Sequence, residues 1–157
     1  MKTPGMKSGT ALFLQIVVVL VGLAAFAFLL GEPHLEGRNA HATIFEIYFH
    51  DPFLAYVYVG SLPFFLGLQR AFVLLGDVRR RGTFSTTTVN SLRTIHRCAL
   101  VVLGFVAGGV VFILVAGDGE DRPAGIFMSA LVALPAIAIS AAATMAVRHL
   151  QRTAVNR

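Results

Sequence analysis

Five histidines and eight acidic residues are the side chains of this chain that could do chemistry, and their spacing limits what that chemistry could be. His34, His41 and His50 share a segment with Glu32, Glu36, Glu46 and Asp51, a nitrogen and oxygen donor set that suits zinc or copper. Intervals of seven and nine residues lack the i, i+4 pairing that sets two histidines side by side on a helix. The three are metal candidates by composition alone, and a solvated loop is the simpler reading. His96 and His149 stand at the same end of two apolar stretches, and two axial histidines can hold one haem. A buried haem needs its ligands deeper, so no cofactor is expected, and His96 is read as a packed interfacial histidine. No nucleophile elbow, phosphate-binding loop, dinucleotide fingerprint, HExxH or CxxC is present, and no acid lies deep in an apolar stretch. The chain is not expected to be an enzyme.

The elements that would position these residues are four apolar stretches, at residues 11–30, 53–72, 98–115 and 125–147. Twenty helical residues cover roughly 30 Å, the hydrocarbon thickness of a bilayer. A chain that is 56% hydrophobic and 13% charged cannot cover a water-soluble globule of this size with polar surface. The expected fold is an all-α integral membrane protein of four transmembrane helices, a single domain over residues 1–157. Lys2 and Lys7 precede the first stretch as they would in a signal peptide, but its length exceeds the ~7 to 15 residues of a cleaved apolar region, and a retained helix is expected. Cys98 has no second cysteine to pair with, so packing in the membrane must hold the fold.

Charge orients the spans. Eleven basic residues against the single acid Asp77 give one set of flanking segments a net +10, whereas seven acids against Arg38 and Arg122 give the alternate set −5. Basic segments resist translocation, so both termini and the middle loop are expected in the cytoplasm. The overall +5 then follows from topology, and direct nucleic-acid binding is not expected. In the middle loop, residues 76–82 are read as breaking helix two and Ser85 as the N-cap of an amphipathic cytoplasmic helix leading into span three. Phe84, Val89, Leu92 and Ile95 share one side of it, and Asn90, Arg93, Thr94 and Arg97 the other. Arg79, Arg80, Arg81, Arg93 and Arg97 are the candidate contacts for membrane lipid headgroups or for an acidic cytoplasmic protein.

Polar and small residues within the spans each need an account. Gln15 lies one turn into helix one, and Arg70 is expected to snorkel to the headgroups. Ser61, Pro63 and Pro135 suggest kinks that could shape a transport path. Tyr56 and Tyr58 are read as part of an interfacial aromatic belt. Gly104 and Gly108 form a GxxxG, and Ala136, Ser140 and Thr144 repeat small residues every fourth position, which suits close packing of helices three and four or a homo-oligomer.

The run Gly82-Thr83-Phe84-Ser85, then Val89 and Leu92-Arg93-Thr94-Ile95 entering a membrane helix, resembles the bacterial membrane family known as domain of unknown function 2975. The acidic turn at residues 118–121, Gly125-Ile126 and Leu150-Gln151 are similar as well, so the resemblance covers about residues 52–154. It implies a short four-span protein with a cytoplasmic link between helices two and three. It also implies a partner, since members are often encoded beside a small helix-turn-helix regulator, but no activity. The expected role is regulation or interaction through the basic inner surface, with a small transporter and a structural subunit of a membrane complex as alternatives.

The charge asymmetry is testable in intact cells. In a Cys98→Ala background, Asn39→Cys and Gly119→Cys variants should react with an impermeant thiol reagent, and Thr87→Cys and Thr153→Cys should not. Labelling in the reverse pattern would overturn the orientation.

Overall fold

A computed structural model describes residues 8–35, 43, 45, 52–81, 86–116 and 122–155. They form four helices: α1 (Ser8–Leu35), α2 (Pro52–Arg81), α3 (Thr86–Ala116) and α4 (Arg122–Val155). With 28 to 34 residues each, they are about 42 to 51 Å long and extend past the hydrocarbon core at their ends. All four are long and apolar enough to cross a membrane. The described residues contain no strand.

Consecutive helices run antiparallel and pack mainly on their chain neighbours, α1 on α2, α2 on α3 and, most extensively, α3 on α4. Phe26 meets Phe65 edge-on at 6.4 Å between α1 and α2, and Phe53 stacks on Phe112 at 5.3 Å between α2 and α3. The residues at these seams are small. Ala99, Ala136 and Ala143 are buried, as are Thr88, Ser91 and Ser140. Large apolar side chains instead point outward, with Phe13, Leu62, Phe127 and Leu134 each about two-thirds exposed. Lipid tails are as apolar as leucine, so burying leucine between helices gains little there, while small residues let backbones approach and gather dispersion contacts. This inverted distribution fits four spans that meet lipid along most of their length.

The middle of the chain differs from the sequence expectation in two respects. Helix α2 does not break at Gly76 but runs on to Arg81. A glycine costs a helix about 1 kcal/mol relative to alanine, which flanking turns easily carry. The amphipathic segment after Ser85 is not a separate element either. Its residues form the first turns of the continuous helix α3, because no proline or glycine interrupts the chain between Thr86 and Leu103. Its buried positions are also not those of the apolar arc. Thr88 and Ser91 are 1% and 5% exposed, whereas Val89, Leu92 and Ile95 are half-buried. The proposed N-cap Ser85 and the rest of residues 82–85 lie outside the described residues. Both α2 and α4 continue through Pro63 and Pro135.

The glycines separate sharply. A Cβ on Gly60 would sit 2.9 Å from Phe105 Cδ1 and 3.3 Å from its Cβ, so the α2–α3 approach needs glycine there. Gly108 faces the Tyr56 hydroxyl of α2, while a Cβ built on Gly104 meets nothing within 4 Å. The GxxxG pair is thus split, one member at the α2 seam and the other open. Gly60→Leu should destabilise the protein by about 1 to 3 kcal/mol through overpacking. Gly104→Leu should stay within about 0.5 kcal/mol of wild type. Thermal unfolding in mild detergent distinguishes them, and equal losses would contradict this packing.

Candidate functional site

Antiparallel packing carries the start of α1, the end of α2, the start of α3 and the end of α4 to one end of the molecule. Arg79, Arg80, Arg93, Arg97, Arg148 and Arg152 collect there, with Asp77 the one acid among the described residues of that end. Arg80, Arg93, Arg97, Arg148 and Arg152 are exposed, while Asp77 and Arg79 are half-buried. Arg93 and Arg97 stand one turn apart on α3, with exposed Asn90 a turn earlier on the same face. Thr94, beside them, turns its hydroxyl back to the Asn90 carbonyl at 3.0 Å.

This end is held in place by side chains that reach the backbone of a neighbouring helix. Gln15, 6% exposed, donates through Nε2 to the Phe72 carbonyl of α2 at 3.1 Å. Gly76, four residues beyond Phe72, makes room for it, since a Cβ there would lie 3.1 Å from Gln15 Nε2. At the opposite end of the same seam the Tyr58 hydroxyl donates to the Leu29 carbonyl at 2.9 Å. Four residues after Leu29 stands Pro33, which has no N–H to complete the helical bond, so the tyrosine supplies the missing donor. Tyr56 donates to the Phe105 carbonyl of α3 at 2.7 Å, beside Gly108 and Gly109. Both tyrosines therefore serve as interhelical ties. A hydroxyl and a carbonyl in hydrocarbon each need a partner, and they find one another.

Between α3 and α4 the tie is His96. Its Nδ1 lies 2.9 Å from Ser140 Oγ, 3.2 Å from Thr144 Oγ1 and 3.3 Å from the Ser140 carbonyl. Thr144 Oγ1 also donates to that carbonyl at 2.9 Å. With its proton on Nε2, His96 accepts from the Ser140 hydroxyl; with the proton on Nδ1 it donates to the Ser140 oxygens, so either tautomer joins the helices. Sequence reading singled out Ser140 and Thr144 only as small residues. Their partner was visible as a histidine at the end of a span, but not the distance between them.

Beside the Gln15 tie, a cleft of about 540 Å³ opens between α1 and α2 at the basic end. One turn-spaced face of each helix lines it: Leu12, Ile16, Val19 and Leu20 on α1, Phe72 and Val73 on α2. Gln15 and Gly76 also line it, as do Asp77, Arg79 and Arg80. Sequence reading placed Arg79 and Arg80 in a basic cluster but did not foresee an apolar cleft beneath them. The Arg81 side chain, His41, His50, and the side chain of His34 lie outside the described residues. Among the described residues no group of three or more His, Cys, Asp or Glu side chains could hold a metal ion.

A family model described as a protein of unknown function (DUF2975) matches residues 38–156. The chain belongs to this family. It is also 28% identical, over 96% of its length and 94% of the relative's, to the uncharacterized membrane protein YoaS of Bacillus subtilis (strain 168). No solved structure matches. With four candidate spans and this relative, the chain is a membrane protein.

The His96 tie can be weighed directly. A double-mutant cycle of His96→Ala and Ser140→Ala should give a coupling of about 0.6 kcal/mol, the mean for side-chain hydrogen bonds within membranes, and at most about 1.7 kcal/mol. Additive losses in detergent unfolding would show that the two do not interact.

Proposed function

We propose that this DUF2975 member is a regulatory or interaction protein of the bacterial cytoplasmic membrane, with both termini and its basic end in the cytoplasm, and that it docks an acidic cytoplasmic protein on the exposed face of α3. The observation that carries this reading is the fixed placement of Arg93 and Arg97. They project from a helix whose other side is anchored by buried Thr88 and Ser91, so their spacing is set before any partner arrives. Planar guanidinium groups pair bidentately with carboxylates, and a preset i, i+4 pair can select a partner by geometry as well as charge. The charge asymmetry supports the orientation, because the +10 segments are those that positive-inside topology keeps on the cytoplasmic face. A small helix-turn-helix regulator, the partner that the family resemblance implies, is the first protein to seek.

Lipid headgroups alone could satisfy these charges, at about 1 kcal/mol for each basic residue near anionic lipid. Exchange of Arg93 and Arg97 for lysine separates the two readings. It keeps the charge and removes the fork, so membrane insertion should be unchanged while co-purification of the cytoplasmic partner falls about tenfold or more, the loss of one charge-assisted bidentate contact. Full retention by the lysine variant, or no co-purifying cytoplasmic protein with wild type, would overturn the docking role.

A further inference from the structure

The cleft at the basic end of α1 and α2 combines apolar walls, a polar tie and two arginines. Its walls are two helical faces with large, partly exposed apolar side chains: Leu12 and Ile16 are 45% and 51% exposed, Phe72 and Val73 43% and 41%. From Leu12 to Leu20 the α1 wall is about 12 Å long. Gln15 bonds the Phe72 carbonyl beside it, so a polar tie holds the two walls in place. Arg79 and Arg80 line the same space from the last turns of α2, where the chain leaves the apolar region.

Size and charge specify an occupant. One turn of a helix fills roughly 500 Å³, so about 540 Å³ cannot take a partner helix of useful length. It falls within the ~300 to 1,000 Å³ range of small-molecule sites, enough for an acyl segment and the start of a headgroup. Two arginines and Asp77 leave the lining with a net charge of +1, which suits a singly charged phosphodiester better than a dianion. We propose that the α1–α2 cleft is a binding site for one monoanionic phospholipid, its phosphodiester on Arg79 and Arg80 and an acyl chain along Leu12, Ile16 and Phe72. The site is separate from the α3 surface assigned to a protein partner, and each can fail without the other. Guanidinium forks grip phosphate oxygens in the plane that a phosphodiester offers, and the apolar walls hold the chain that free phosphate lacks.

The test uses the full-length protein, delipidated in mild detergent and offered dioleoyl-phosphatidylglycerol, dioleoyl-phosphatidylcholine or dioleoyl-phosphatidylethanolamine, with bound lipid read by native mass spectrometry. At about 0.5 M salt, where screening acts over roughly 4 Å, diffuse surface attraction is suppressed and a built site persists. Wild type should retain about one phosphatidylglycerol per chain in preference to either zwitterionic lipid. Arg79→Gln with Arg80→Gln should weaken that retention about 25-fold, from two contacts of roughly fivefold each. Ile16→Trp, which fills the cleft from an exposed position, should weaken retention of phosphatidylglycerol while leaving the unfolding temperature near wild type. Arg93→Gln with Arg97→Gln should retain the lipid. Equal retention of the three lipids, equal loss in the two arginine pairs, undiminished binding by Ile16→Trp, or displacement by millimolar inorganic phosphate would each overturn the proposal.

Discussion

In hydrocarbon a polar backbone group without a partner has no water to fall back on, and each such group costs several kcal/mol. Helices meet this demand internally except where proline removes a donor, and even a bonded carbonyl keeps a second lone pair that a neighbour can reach if no side chain is in the way. The seams of this protein are organised around such carbonyls. Pro33 leaves Leu29 without its helical donor, and Tyr58 supplies one. Gly76 uncovers the carbonyl of Phe72 for Gln15, and Gly108 and Gly109 lie beside that of Phe105 where Tyr56 binds. At the third seam the acceptor is the Ser140 carbonyl, reached by Thr144 and within range of His96.

These ties matter because they fix the rotation and register of the helices. Apolar side chains are welcome on every face of a membrane helix, so hydrophobicity alone does not tell α1 which way to turn. A glutamine or tyrosine that must find a carbonyl does. Close approach then follows at small residues, Gly60 against Phe105 and Gly125 against Ile113, where a Cβ would be too near the neighbouring side chain. The same register brings arginines of α2, α3 and α4 to one end. The basic end follows from the antiparallel order of the helices, and the pinned seams give its arginines defined separations where they leave a helix anchored on its other side.

Much of the architecture was legible in the chain because it depends on local sums. Span number follows from apolar length, and the grouping of charges from alternation of loops along the sequence. The family signature also falls within a continuous stretch. Reading failed at Gly76, where a glycine and the charged run that follows it look like interruptions but the helix propagates through to Arg81. Cooperativity favours extending an existing helix, and one weak residue does not stop it.

The candidate site was less legible, for a geometric reason. Each residue turns a helix by about 100°, so small differences in rotation decide whether Gly104 or Gly108 meets a neighbour, and only one does. Gln15, Tyr56, Tyr58 and His96 were visible as polar residues in apolar surroundings, yet their acceptors are backbone atoms or hydroxyls 29 to 57 positions away, which no spacing rule reveals. The cleft beneath Arg79 and Arg80 exists only because faces of α1 and α2 far apart in sequence come together at one end. Sequence by itself determined that this chain lives in lipid and which segments are basic, because length, hydropathy and charge add up along the chain. Tertiary structure alone decided which polar groups hold the helices together and where a ligand could lodge, because both depend on the relative rotation of helices that lipid would otherwise let turn freely.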